Sequence, residues 1–562
     1  VIIDNHVQAS NQIGGNGTIA YYNRSVFLNG TENDYGSSSG VGGLGVAKLA
    51  AGDVLGIAVD GATGKVWFHR NGTYFGAPVG HQSGHGTTGN PSAGSNEIGT
   101  ITNTTAINPS GEIFIFLTGN GSVDDLFVNF GQDSTFAGNK SAGSETDANG
   151  EGLFQYAVPT DYVCLHSGNM SDPTIGPAQS SQADDYFNTV LWSGNSTNNR
   201  SITTDHATDF VWIKKRGTTV QSHVLADSVR GTSDSGGTGN VGILSSNLTD
   251  AESTNSSDSG IASFDSTSFT IGAGSNTANA AAPYQGTNAS SHTYVGWSWK
   301  AGGAPTADNS AGNGATPTAG SVKIDGSNLG SALAGSLAAT KLSANTTAGF
   351  SVVTWTAASD SGTVAHGLTS APEMIIAKPL GDGTNWYVMH TPGAVVPASN
   401  VLNLDSTAAA FNPGVNHFDD TYPTSTVFSF GGYLGDDLSN DDKVAYCFHS
   451  VEGYSKIGSY TGNGNADGTF VYTGFRPAWI MVKQSSGGST GWLIYDTARD
   501  TFNEADAVLQ AHVTTAEVTA ADIDIVSNGW KFRTNDSAVN GSSATYIYLA
   551  FAEAPFKFAN AR

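Results

Sequence analysis

The chain has 562 residues, of which 72 are glycine and 13% are charged, and its formal net charge is −25. Clustered Lys and Arg drive binding to nucleic acid and to anionic lipid, so a chain this acidic is a poor ligand for either. No stretch approaches the roughly 18 consecutive apolar residues of a membrane span, and a hydrophobic fraction of 38% argues against a disordered chain. Gly, Ser, Thr and Asn interleaved with Val, Ile, Tyr and Trp predict an all-β protein of several domains.

The first 135 residues alternate turn clusters with short strand-like runs. The runs 52–60 (GDVLGIAVD) and 64–68 (GKVWF) flank a predicted hairpin turn, and Asn71-Gly72 predicts a second tight turn. Further strands are predicted at 112–116 (EIFIF) and 126–131 (LFVNFG).

These motifs, in this order, resemble the SPRY-type β-sandwich, whose signature is a GDVIGVALD-type strand, a turn, a W-F strand, an N-G turn and a closing V-x-V-N-F-G strand. The resemblance covers residues 1–135 and implies a concanavalin-like sandwich that acts as a binding module. The family's opening strands are poorly represented before Gly14, and the chain starts at Val1 rather than Met, so we expect a domain truncated at its N-terminus. A Gly/His/Thr/Asn-rich insert at 77–107 also departs from the family pattern.

After a connector at 136–185, three sequence anchors recur three times in the same order, which indicates an internal repeat. The first anchor is an apolar strand ending in Lys, the second is an alternating strand, and the third is a small–aromatic–small strand. From the Lys, the second anchor begins 9, 8 and 9 residues later, and the third-anchor aromatic follows after 83, 68 and 68. In chain order the anchors are FVWIK (210–214), HVLAD (223–227) and GWS (296–298); MIIAK (374–378), WYVMH (386–390) and AYC (445–447); WIMVK (479–483), WLIYD (492–496) and AFA (550–552).

The repeat predicts three tandem, related β-sandwich domains of about 100 residues each. We call them copy one (186–300), copy two (346–453) and copy three (454–562). Between copies one and two, the Ala/Gly/Pro/Thr-rich linker 301–345 is predicted to be flexible at 301–320 and helical at 331–343. Copies two and three are almost contiguous and are expected to form a tight tandem.

Three further sets of segments are distinctive: SHVLADSVRG (222–231), AHGL (365–368) before APEMII (371–376), and GYSK (453–456) before GSY (458–460). With the repeats and the SPRY-like portion, they resemble structural and tail-fibre-like proteins of marine bacteriophages. The resemblance implies a virion component on the extracellular surface. The implied partners are other virion proteins, further copies of the chain (a trimer is favoured) and a host surface glycan or protein. The charge and the lack of an apolar span argue against nucleic acid and membrane insertion.

The sequence contains no P-loop, GxSxG, HExxH or CxxC motif, and we predict no catalytic, cofactor-binding or metal-binding residue. His81 and His85 lie in a Gly-rich stretch, where a solvated loop is preferred over a zinc pair. Asn463, Asn465 and Asp467 imitate the start of a Ca²⁺ loop. Its twelfth position is Gly474 instead of Glu, so a tight turn is preferred.

Other polar and aromatic patterns have structural interpretations as well. Arg230 and Arg499 follow Asp227 and Asp496 by three residues, whereas copy two has His390 and Gly393 there, which favours a structural contact over a shared ligand site. Solvated carboxylates are preferred over a Ca²⁺ site at Asp419-Asp420, Asp436-Asp437 and Asp441-Asp442. Buried free thiols are preferred over a disulfide for Cys164 and Cys447. A core role is preferred over sugar binding for Trp67, Trp212, Trp297, Trp299, Trp386, Trp479, Trp492 and Trp530.

The sequence therefore favours a non-enzymatic bacteriophage structural protein, a fibre or surface appendage involved in host recognition or attachment. No cofactor is predicted, and Ca²⁺ is the one ion that the acidic clusters leave open. Two alternatives from other classes remain: a secreted bacterial carbohydrate-binding adhesin, and a glycan-degrading enzyme like some tailspikes, for which the sequence singles out no carboxylate pair.

Overall fold

The protein is all-β and divides into two compact units, unit one (Val1–Asp172) and unit two (Pro173–Arg562). This division falls inside the connector predicted at 136–185. The computed structural model describes residues 2–3, 19–22, 25–28, 31–34, 52–60, 63–75, 88–100, 126–164, 169, 173–176, 179–217, 220–231, 242–253, 260–273, 287–357, 359–381, 383–414, 417–435 and 442–554.

Unit one is built on an antiparallel sheet with the order β7-β6-β5-β1-β9, in which β8 also pairs with β6, and on a small sheet β2-β3-β4. A 3₁₀ turn lies at Pro91–Ala93. The strands are β1 Ile2–Ile3, β2 Ile19–Tyr22, β3 Ser25–Leu28, β4 Thr31–Asp34, β5 Asp53–Val59, β6 Lys65–Arg70, β7 Thr73–Phe75, β8 Gly99–Thr100 and β9 Leu126–Phe127.

The hairpin predicted at 52–68 is confirmed. Strands β5 and β6 pair antiparallel, and the turn between them closes through Gly64 N–H, which donates to the Asp60 carbonyl at 2.8 Å. Gly64 has φ +73°, a conformation that glycine adopts at little cost. The second tight turn is confirmed at Asn71-Gly72, which leads from β6 into β7. The strand predicted at 126–131 is shorter than expected, since β9 ends at Phe127, and the strand predicted at 112–116 lies outside the described residues.

Unit two contains the three copies, and each copy contains the same run of four antiparallel strands, which forms a whole sheet in copy one and part of an eight-stranded sheet in copies two and three. The sheet order is β10-β16-β12-β13 in copy one, β20-β26-β22-β23 in copy two and β27-β34-β29-β30 in copy three. In each case the first anchor forms the third strand of this order, between the strands that contain the third and the second anchors. Because the order of strand pairing is the same in all three copies, the repeat is a structural one.

In copies one and two, a second, smaller sheet covers the outer face of the four strands. It consists of β11-β15-β14 in copy one and β21-β25 in copy two. In copy three, the sheet that contains the four strands continues through β31-β32-β33-β28, which form its outer part. The strands of copy one are β10 Phe187–Ser193, β11 Arg200–Thr203, β12 Phe210–Lys215, β13 Val224–Asp227, β14 Ile261–Phe264, β15 Ser268–Ile271 and β16 Thr293–Trp299. Copy two has β20 Phe350–Thr356, β21 Ser361–Ala365, β22 Met374–Pro379, β23 Tyr387–His390, β24 Leu402–Asn403, β25 Val427–Gly431 and β26 Asp442–Phe448. Copy three has β27 Ser455–Thr461, β28 Phe470–Tyr472, β29 Pro477–Gln484, β30 Trp492–Asp496, β31 Ala505–Gln510, β32 Val518–Val526, β33 Gly529–Phe532 and β34 Thr545–Ala552.

The helix predicted at 331–343 is wrong. This segment is irregular up to Thr340 and then enters β19, and β17 and β18 precede it. Ser336 and Thr363 exchange hydrogen bonds of 2.9 and 2.8 Å, so the segment is bound beside β21 of copy two instead of coiling on itself. The added strands are β17 Val322–Ile324, β18 Ser327–Asn328 and β19 Lys341–Asn345; short helical turns are 3₁₀ Ala183–Asp185, Pro392–Ala394 and Gly432–Leu434, and α1 Ser537–Asn540.

The third anchor of copy three is also corrected by the strand register. Trp212 lies opposite Trp297 in copy one, and Ile376 lies opposite Tyr446 in copy two. The corresponding pair in copy three is Met481 with Leu549, two residues before the expected Phe551. Phe551 instead corresponds to Trp299 in copy one and to Phe448 in copy two. All three copies have a large apolar residue at that position, and only copy three lacks an aromatic residue two positions earlier.

Candidate functional site

The first-anchor strands are buried on both faces, and the two faces have different partners. In β12, Val211 and Ile213 point into the sandwich of copy one, whereas Phe210 and Trp212 belong to a cluster that includes side chains of all three copies. The same alternation holds in β22, where Met374 and Ile376 face the shared cluster and Ile375 and Ala377 face the core of copy two. The three copies therefore share one hydrophobic core.

Aromatic contacts join each pair of copies, so the copies form a closed ring. Phe210 and Tyr446 join copies one and two at 4.3 Å between ring centroids. Trp299 and Trp479 join copies one and three at 5.8 Å. Phe448 and Phe551 join copies two and three at 6.1 Å.

A cavity of about 10 Å³ lies where the three copies meet, and its lining is apolar apart from one tyrosine. Such a space is about the size of one water molecule, which needs polar partners to stay there. The centre of the ring is therefore a packed core and not a ligand site. The lining residues are Phe210, Trp212, Leu225, Trp299, Ile376, Tyr446, Phe448, Trp479, Met481 and Leu549.

The Lys that ends each first anchor is buried and connects its copy to the preceding one around the ring. In every copy the ammonium group donates to the backbone carbonyl of a threonine in that neighbour. The bonds are Lys214 to Thr514 (3.0 Å), Lys378 to Thr249 (3.1 Å) and Lys483 to Thr407 (3.2 Å). Burial lowers the pKa of Lys214 to about 7 and that of Lys483 to about 8.

The residue that opens each second anchor makes an equivalent contact through a ring nitrogen. His223 Nε2 lies 3.0 Å from the Gln510 carbonyl. Trp212 Nε1–H donates to His223 Nδ1 at 2.8 Å, so the histidine proton is on Nε2 and is donated to Gln510. The indole N–H groups of the other copies donate to Ser245 (Trp386, 2.9 Å) and Asn403 (Trp492, 2.9 Å).

The contact predicted between each Asp and the Arg three residues later is confirmed in copies one and three. Asp227 and Arg230 form an ion pair of 2.5 Å with side chains at most 2% exposed, and Asp496 and Arg499 form a matching pair. Each Arg also reaches a glutamate of its own copy, Glu252 at 2.6 Å and Glu517 at 3.1 Å.

These ion pairs also bind an aromatic residue of the next copy. The Tyr446 hydroxyl donates to Asp227 at 2.8 Å, and Trp297 Nε1–H donates to Asp496 at 3.0 Å. Burial raises the pKa of Tyr446 well above its usual value, so its hydroxyl remains a donor. Leu549 occupies the equivalent position in copy three and offers no donor, which agrees with the neighbouring copy two having His390 in place of the Asp.

Copies one and three are further joined by an ion pair between residues 301 positions apart. Arg216 Nε and Nη2 each donate to a Glu517 carboxylate oxygen at 2.9 Å. Glu517 N–H also donates to the Arg216 carbonyl at 3.1 Å. The seam between the first and last copies, which are most distant in the chain, thus has a bidentate ion pair in addition to the Lys and His contacts.

The other residues considered from sequence are not gathered into one site within the described part of the chain. The turn at 463–468 is held by Asn540, whose amide donates to Asn463 Oδ1 and to the Asn465 carbonyl at 2.9 and 2.8 Å. Asp419 and Asp420 are exposed. His81, His85, Asp436, Asp437 and Asp441 lie outside the described residues.

Predictions about tryptophan and cysteine can be compared with burial. All eight tryptophans assigned to the core are at most 2% exposed, which confirms that assignment. Both cysteines are free; Cys447 is buried, and Cys164 is half-buried. Among the described residues, no group of three or more His, Cys, Asp and Glu side chains has an arrangement that would hold a metal ion, and no helix has the length and apolar character to cross a membrane.

Sequence missed the joining role of the buried lysines, although a Lys at the end of three apolar strands was the available signal. A family model described as "Domain of unknown function (DUF7483)" matches residues 182–325 and 323–555, which together contain copies one and two and all but the last seven residues of copy three. No curated protein matches the chain, and no solved structure matches it.

Proposed function

The chain belongs to the family described as Domain of unknown function (DUF7483), and we propose that it is a non-enzymatic structural protein of a bacteriophage virion. In this proposal it is a fibre or surface appendage that takes part in host recognition or attachment. The proposal rests on the resemblance of its repeats and its SPRY-like portion to marine phage proteins, and on the architecture of unit two.

One observation carries the architectural part of the proposal. The buried Lys, Asp and His side chains, which are residue types that often act in catalysis, form bonds that join the copies. Lys214, Asp227 and His223 each bond to a neighbouring copy. A body held together in this way is suited to present loops at fixed positions, because buried bonds fix its copies to one another.

The proposed partners are other virion proteins, further copies of this chain and a host surface molecule. Three related copies in one ring offer three related faces, which suit a threefold partner or a trimer of the chain. Many copies on one particle would raise avidity without strengthening any single contact. The net charge of −25 would keep such a dense display soluble.

Immunogold labelling of particles and cells from a culture that produces the protein tests the proposal. We expect label on phage particles, with pre-immune serum as the control. Label confined to the bacterial surface in particle-free cultures would favour a secreted adhesin instead. Release of oligosaccharides from host polysaccharide by the purified chain would contradict the non-enzymatic part.

A further inference from the structure

Copy three exposes two aromatic side chains on one face of its outer sheet. In β28, the last strand of that sheet, Phe470 is 46% exposed and Tyr472 is 63% exposed, whereas Val471 between them is 4% exposed and faces the core. Side chains of a strand alternate between its faces, so Phe470 and Tyr472 lie next to each other on the solvent side.

The other copies show that the fold does not require aromatic residues there. Counted back from the Lys of the first anchor, Phe470 and Tyr472 correspond to Ser201 and Thr203 in copy one, and both of these are exposed. Copy two has Ala365 and Gly367 at the same distances. Since the same sandwich is built three times, the two exposed rings of copy three need an explanation other than folding.

Polar groups lie beside the two rings. Phe470 is paired across the sheet with Lys531, whose ammonium group lies 3.0 Å from Asp467, a side chain that is 81% exposed. Tyr472 is paired with Gly529, which has no side chain to cover the neighbouring surface. The face therefore combines two flat apolar surfaces with a charged donor and a charged acceptor at one side.

We propose that this face of copy three, formed by Phe470, Tyr472, Lys531 and Asp467, binds a neutral glycan. The C–H bonds on one face of a pyranose ring pack against the electron-rich face of an aromatic ring, and the sugar hydroxyls accept from Lys531 and donate to Asp467. Two side chains offer far less area than the roughly 800 Å² per partner of a stable protein interface, so a saccharide fits better than a protein. A net charge of −25 disfavours a polyanionic glycan. This inference deepens the proposed function, because it names the host ligand class.

Affinity electrophoresis of the full chain through gels containing dextran, laminarin or galactomannan tests the proposal. We expect retardation by at least one polysaccharide. A double variant, Phe470→Ser with Tyr472→Thr, places the residues of copy one at these positions. Its affinity for the polysaccharide should be lower than that of the parent by at least about tenfold. Phe502→Ser, at a side chain that is 84% exposed, is the matched control and should bind like the parent.

Thermal unfolding of the double variant checks that it is folded. We expect it to be folded, because copy one forms the same sandwich with Ser and Thr at these positions. No retardation of the parent in any gel, or equal retardation of parent and double variant, would overturn the proposal. So would self-association of the parent that the double variant abolishes, since the face would then serve a second copy of the chain. Glycan binding by the purified chain does not depend on where the protein is located. A failure of this proposal can therefore be distinguished from a failure of the proposed virion location, which the labelling experiment tests.

Discussion

At the residue scale, the buried charged side chains of unit two stabilise the fold only when their partners are present. Asp227 is fully buried with Arg230, and Tyr446 of the next copy donates to the same carboxylate. We predict that Asp227→Ala lowers the free energy of unfolding by about 3–5 kcal/mol, because it leaves Arg230 buried without its closest counter-ion. Urea denaturation measures this change. Asp467→Ala is the control and should lower the free energy of unfolding far less, because Asp467 is an exposed partner of Lys531. Equal losses in the two variants would contradict the stabilising role of the buried ion pair.

The buried lysines predict a pH dependence at the same scale. Burial lowers the pKa of Lys483 from 10.5 to about 8, so the folded chain releases this proton at a lower pH than the unfolded chain. Between these two values the unfolded state binds more protons, and the free energy of unfolding therefore rises with pH.

Lys483→Met should reduce the slope of the unfolding free energy between pH 8 and pH 9.5, measured by urea denaturation at several pH values. The variant also loses the bond to Thr407, which changes the absolute stability, so the slope is the readout. Ile480→Met, at a buried position of the same strand without an ionisable group, is the control and should keep the parent's slope. A Lys483→Met chain with an unchanged slope would show that this ammonium group does not titrate as proposed.

At the element scale, the segment 301–345 behaves differently from the linker expected from its composition. Asp209 is buried and accepts hydrogen bonds from Ala301 N–H at 2.8 Å and Gly303 N–H at 3.2 Å. Further along, Thr306 N–H donates to the Gly320 carbonyl at 2.8 Å, and β17 pairs with β19. Composition could not reveal this, because Gly-rich sequence permits flexibility without requiring it, and the partner Asp209 is distant in the chain.

We predict that elastase, which cleaves after small residues, leaves 301–320 intact in the folded parent chain. Asp209→Ala removes the acceptor for both backbone groups, so cleavage in this segment should become at least about tenfold faster. Mass spectrometry of the fragments over time measures the rate. Asp205→Asn, a few residues earlier and exposed, is the control, because Asn tolerates the left-handed backbone conformation of Asp205. Rapid cleavage of the parent within 301–320 would mean that the segment is not bound as described.

Elements with strong local signals were predictable from sequence, and long-range register was not. The hairpin of β5 and β6 followed from its alternation and turn residues, and the first and second anchors followed from the repeat. The third anchor of copy three was placed two residues late, because the pattern small–aromatic–small fits Phe551 and Leu549 lacks an aromatic ring. Only the pairing of Met481 with Leu549 fixes the register.

At the scale of the whole unit, the sequence predicted three sandwiches in tandem but not their shared core. Strands such as FVWIK are apolar at every position before the final Lys, which indicates burial on both faces, but one face could have been covered by the same copy or by another. The side chains of Phe210 and Trp212 are covered by the other copies. The exposure of the two aromatic rings of β28 could not be predicted from sequence either, because it depends on which face of the strand is covered.

Copies one and three meet and close the ring. Arg216→Cys with Glu517→Cys tests this directly in a chain carrying Cys164→Ser and Cys447→Ala. The two backbones share a 3.1 Å hydrogen bond, so a disulfide should be geometrically feasible. Peptide mass spectrometry after mild oxidation of the dilute folded chain measures the bond, with the two single-cysteine chains as controls. We predict a nearly complete intramolecular disulfide between residues 216 and 517. An absence of that bond, or its formation only between two chains, would contradict the closed ring.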